Sequence, residues 1–124
     1  MDKALEEAIE AFRPIAEARN WHTQEGSFQW CGDASEEFIK CAQEKGLEAR
    51  YEWFDGLPPE AADAIARLGS PSLIDEGETT HVVVTVDGVY VDWTARQFYP
   101  DKPFPTIWTL EELNAAGWFC EEGK

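Results

Sequence analysis

In HVVVTVDGVYVDWT, residues 81–94, two β-branched runs flank Asp87-Gly88, a pair suited to two-residue type I′ turns because both turn positions need a positive φ. The stretch therefore reads as a β-hairpin. With Asp87 and Gly88 as the loop, Val86 pairs with Val89, Val83 with Asp92 and His81 with Thr94. Side chains two apart on a strand share a face. His81, Val83, Thr85, Tyr90, Asp92 and Thr94 then point one way, and Val82, Val84, Val86, Val89, Val91 and Trp93 the other. This makes His81 and Asp92 diagonal neighbours at about 7 to 8 Å between backbones, a gap that an imidazole and a carboxylate can close with a hydrogen bond.

Working outward, helices precede the hairpin. From Asp2 to Arg19 the apolar residues Ala4, Leu5, Ala8, Ile9, Phe12, Ile15 and Ala16 recur at three and four, which predicts an amphipathic helix that Pro14 kinks or splits. Asn20 to Trp30 reads as a loop. A second helix is expected over Asp33–Lys45, with Ala34, Phe38, Ile39, Cys41 and Ala42 inward and Gly46 at a left-handed cap. Leu47–Phe54 reads as a strand stopped by Asp55-Gly56 and Pro58-Pro59. A short helix begins at Pro59 with Ala61, Ala62, Ile65 and Leu68 on one stripe, and Gly69 ends it. Ser70–Thr80 is turn-forming. After the hairpin, Ala95–Trp108 carries Pro100, Pro103 and Pro105 and reads as an ordered loop, and Thr109 with Glu112 forms a capping box for a last helix ended by Gly117.

The nucleophile candidate is Cys31, which directly precedes the second helix in Trp30-Cys31-Gly32-Asp33-Ala34-Ser35. A helix N-terminus presents unpaired N–H groups and partial positive charge, and both favour a thiolate. Gly32 and Ala34 leave room for a substrate backbone, and the Cys31 amide can contribute to an oxyanion site. Cys41 and Cys120 read as small buried hydrophobes. His22 reads as a solvated loop residue, and a zinc site built from His22, His81 and Cys31 has no recognised ligand spacing. Neither a metal nor a cofactor is expected.

Bulk properties narrow the function. A chain of 124 residues with 44% apolar residues and six tryptophans suits a single packed domain over residues 1–124. Its net charge of −15 opposes binding to nucleic acid or to anionic membranes. No apolar stretch approaches the roughly 18 to 20 residues that span a bilayer, and Met1–Glu10 lacks the features of a secretory signal. A cytoplasmic protein with reduced thiols is expected, with a protein or peptide substrate, a basic protein among the candidates.

A cysteine at a helix start, followed by a histidine and an aspartate on adjacent strands, resembles the papain-like and transglutaminase-like superfamily, nearest to papain-fold toxin and protein-glutaminase-like domains. The matching segments are Cys31-Gly32-Asp33-Ala34-Ser35, His81-Val82-Val83-Val84 and Val91-Asp92-Trp93-Thr94-Ala95-Arg96-Gln97-Phe98. The resemblance implies an α+β fold with a papain-like or transglutaminase-like core, in which N-terminal helices and the Cys-led helix pack on a small antiparallel β-sheet. It implies Cys31 as nucleophile, His81 as general base and acid, and Asp92 as the orienting carboxylate. Gln24 and Gln29 are the candidate oxyanion donors, and Arg96 and Gln97 hold the loop that follows. The expected activity is acyl transfer through an acyl-enzyme, by a protein deamidase or peptidase. The alternative is a non-enzymatic acidic protein-binding module, a phage or bacterial effector or inhibitor that keeps the fold.

Overall fold

In the computed structural model, residues 2–28, 30–56, 58–67 and 79–120 are described. They form α1 (Lys3–Ala18), α2 (Gln24–Ser27), α3 (Cys31–Glu44), β1 (Arg50–Gly56), α4 (Pro59–Arg67), β2 (Thr79–Val86), β3 (Val89–Asp92), a 3₁₀ turn (Ala95–Gln97), β4 (Thr106–Trp108), α5 (Leu110–Ala116) and β5 (Phe119–Cys120). The architecture is α+β, with N-terminal helices packed on an open five-stranded antiparallel sheet of order β4-β3-β2-β1-β5.

The hairpin forms in the expected register, with Val86 opposite Val89, Thr85 opposite Tyr90 and Val84 opposite Val91. Asp87 and Gly88 both take positive φ, 51° and 78°, as a type I′ turn demands. Alternation along the strands then divides the interior in two. On one side Val84, Val86, Val91 and Trp93 pack with Leu5, Ala8 and Phe12 of α1 and Phe38 and Ala42 of α3. Phe12 anchors this layer, with ring centroids 4.9 Å from Trp93 and 5.5 Å from Phe38. On the other side Val83 and Phe54 pack with Phe98, Tyr99, Trp108, Leu113 and Trp118.

Several boundaries differ from the sequence expectation. Pro14 sits inside a continuous α1, where the α1 face carrying Leu5, Ile9 and Phe12 is buried and packing outweighs one lost hydrogen bond. Helix α3 begins at Cys31 rather than Asp33. Asp55 and Gly56 do not end β1 but extend it, because β2 pairs along its whole length, from Arg50 with Thr85 to Gly56 with Thr79. The expected helix after Pro59 is present as α4, whereas Leu68 and Gly69 lie outside the described residues. The proline-rich stretch hides β4, whose Thr106, Ile107 and Trp108 pair with Asp92, Val91 and Tyr90. The capping box of Thr109 and Glu112 is formed, and Gly117 ends α5 at φ 105°. No described helix is long and apolar enough to cross a membrane.

Candidate functional site

The site is built where the β2–β3 ladder runs out. Its last hydrogen-bonded rung on this side is Val84 with Val91, and β3 stops at Asp92 because the Asp92 carboxylate turns back to accept the Thr94 amide at Oδ1 across 3.1 Å. In an antiparallel strand N–H and C=O groups point the same way at every second residue. Val82 therefore aims its backbone at the space that β3 has vacated. The start of α3 fills that space, with the Val82 carbonyl accepting from Ser35 Oγ at 3.4 Å and the Val82 amide facing the Cys31 sulfur.

His81 lies one residue before Val82. It is 1% exposed, and so is Asp92. His81 Nε2 donates to Asp92 Oδ2 across 2.7 Å, and Trp108 Nε1 donates to the same oxygen across 3.0 Å. The ring is wedged between Phe98 and Trp118, with centroids 5.1 and 5.3 Å away. With Nε2 committed to Asp92, Nδ1 is the nitrogen left for the sulfur, and it has no other partner. Nδ1 closes no hydrogen bond of normal geometry, yet it lies near enough to the Cys31 sulfur for each group to act on the other.

Electrostatics makes the two groups reciprocal. Burial alone would push the Cys31 thiol up, but the hydrogen bond and charge of His81, with the Val82 amide, outweigh both burial and the Asp92 charge and hold the thiol below its ordinary value. Burial would likewise lower the His81 pKa. The charge and hydrogen bond of Asp92, with those of Cys31, instead raise it to about 10. Both shifts favour a thiolate beside an imidazolium over the neutral thiol and imidazole.

The structure thus brings Cys31, His81 and Asp92 together. The thiol is half-buried, and the space that a Cβ on Gly32 would enter is open. Trp30 occupies the N-cap of α3 without a side-chain cap, which leaves the first-turn amides to other acceptors. Gln24 donates its side-chain amide to the Gln97 carbonyl across 3.3 Å and so ties α2 to the 3₁₀ turn. Gln29 lies outside the described residues. Arg96 holds the loop by donating to the carbonyls of Lys102 and His22. His22 is not the solvated residue expected of a loop: its ring sits edge-on to Phe104, with Nδ1 buried. Among the described residues no group of three or more His, Cys, Asp or Glu side chains is placed to hold a metal ion.

Three contributors escaped the sequence reading. Trp108, Ser35 and the Val82 backbone all act on the site through hydrogen bonds. The alternation of Thr106, Ile107 and Trp108 was the available sign of a strand beside Asp92. Nothing local marks Ser35, because its role depends on where β3 ends. No family model matches the chain, and neither a curated protein nor a solved structure does.

Proposed function

We propose that the chain is a cysteine-dependent acyl-transfer enzyme, a protein deamidase or peptidase with a papain-like or transglutaminase-like core. The observation that carries this reading is the buried His81, bonded to Asp92 at 2.7 Å and electrostatically paired with a thiol at a helix start.

The Cys31 sulfur attacks the carbonyl carbon of an amide, and the oxygen takes up the negative charge beside the first-turn amides of α3. His81 then passes its Nδ1 proton to the departing nitrogen, the C–N bond breaks, and a thioester remains on Cys31. Water next attacks the thioester while Nδ1 accepts its proton, and the carboxylic acid leaves as the thiolate is restored. Asp92 keeps Nε2 protonated throughout, so that Nδ1 is the working nitrogen. Deamidation and peptide hydrolysis share these steps and differ in what carries the departing nitrogen.

The test incubates a cell lysate with the wild-type chain, with Cys31→Ala and with His81→Ala, followed by mass spectrometry. Conversion of glutamine side chains to acids assigns deamidation, and new chain termini assign proteolysis. Folded wild-type protein that produces neither would remove the enzymatic reading and favour the acidic binding module.

A further inference from the structure

Three large aromatic side chains stand exposed on one face of the sheet, without a ring partner among the described residues. Tyr51, Trp53 and Phe119 are 39%, 50% and 52% exposed. Directly paired residues share a face, and Tyr51 pairs with Val84, Trp53 with Val82, and Phe119 with Asp55. All three rings therefore lie on the side that α3 covers, but beyond the helix. Trp53 is one strand from Val82, whose amide faces the Cys31 sulfur.

The charges that act on Tyr51 are acidic. The Tyr51 phenol is pushed up by partial burial and by the charges of Glu36 and Asp33, which puts these two acids of α3 within electrostatic reach of the ring. Asp55 shares the face. Arg50 falls on the opposite face, where it acts on Tyr90, and Lys40 meets Glu36 only at 4.0 Å with both side chains exposed, a pair of little strength. Exposed indole and phenyl faces edged by carboxylates suit a guanidinium or ammonium group through cation–π attraction and charge. Tyr51 and Trp53 stand two residues apart on a strand, about 7 Å, the spacing at which an extended chain presents alternate side chains.

We propose that the face formed by Tyr51, Trp53 and Phe119, with Asp33 and Glu36, docks an extended arginine- or lysine-bearing segment of the protein substrate. The inference rests on the acyl-transfer reading for the word substrate; the docking itself does not require a working thiol. Bound there, a basic segment lies beside α3, the helix that carries Cys31 at its first turn.

The test measures fluorescence anisotropy of a labelled arginine–serine repeat peptide, with a glutamate–serine repeat as control, on the Cys31→Ala chain so that nothing turns over. Selective, salt-sensitive binding of the arginine peptide is expected, weakened about tenfold by adding Trp53→Ser or Phe119→Ser and left unchanged by adding Glu111→Gln on α5. Circular dichroism of each variant verifies the fold. Equal binding after Trp53→Ser, an equal loss from Glu111→Gln, or equal affinity for the glutamate peptide would overturn the proposal. So would a dimer in sedimentation that Trp53→Ser dissociates, because the occupant would then be a second copy of the chain. Peptide binding without any thiol reactivity in the wild-type chain would leave the docking face standing and remove the enzyme.

Discussion

Replacing Asp92 by asparagine perturbs the site with the smallest change of shape. The carboxylate accepts three hydrogen bonds, from His81 and Trp108 at Oδ2 and from Thr94 at Oδ1. A carboxamide must turn its NH2 toward one of those oxygen positions. Facing Oδ2 it opposes two buried donors, whereas facing Oδ1 it opposes only the Thr94 amide, so the second orientation wins. One buried donor is then unsatisfied at about 1 to 3 kcal/mol, and the imidazolium loses its buried counter-charge. Together these amount to about 3 to 5 kcal/mol, as for other buried pairs that lose one partner, or a Tm lower by roughly 10 to 20 °C. With the histidine no longer held protonated, the Cys31 pKa climbs and iodoacetamide labelling at mildly acidic pH slows by about tenfold or more. Thermal unfolding and mass-resolved labelling measure the two effects. A variant that keeps both the wild-type Tm and the wild-type acid-side labelling rate would refute the reasoning.

Trp108→Phe removes one donor from Asp92 Oδ2 while keeping most of the buried ring, and a loss of about 1 kcal/mol in urea unfolding is expected. Because burial and the neighbouring Glu44 raise the Cys41 thiol, Cys41 alkylates much more slowly than Cys31 at pH 7; peptide-level quantification after brief exposure checks the order. The His81 pKa is raised from the usual 6.5 to about 10 in the folded chain, so its stabilisation is fully present below pH 6.5 and fades as pH rises through about 10. His81→Ala should flatten that alkaline decline in a series of unfolding curves. Thr109→Ala breaks the capping box of α5 and should cost about 1 kcal/mol in denaturant unfolding, without altering Cys31 labelling.

The hairpin was legible because its information is local. Asp87-Gly88 set the turn, the turn set the register, and the register put His81 and Asp92 on one face. Helices α1 and α3 were legible from apolar spacing, and α5 from its cap. Legibility ended where partners are distant in sequence. Thr106–Trp108 is a strand because β3 offers it an edge, and three neighbouring prolines obscured its alternation. Trp108 reaches Asp92 only through that pairing. Phe119–Cys120 is ordered against Asp55 and Phe54 of β1, far too short to announce itself. The α3 start moved from Asp33 to Cys31 because the Ser35 hydroxyl and the Cys31 thiol meet the Val82 backbone that β3 leaves open, a tertiary effect invisible in propensities.

The ionisation of one thiol tests the central claim most directly. Thiolate absorbance can be titrated as the difference between the wild-type chain and Cys31→Ser, in the folded protein and again in the His81→Ala background. The account predicts a thiolate that survives to pH values below those of an ordinary cysteine, and its return to ordinary behaviour once His81 is gone. A Cys31 that ionises at or above the ordinary thiol range in the folded wild type, indifferent to His81, would contradict it.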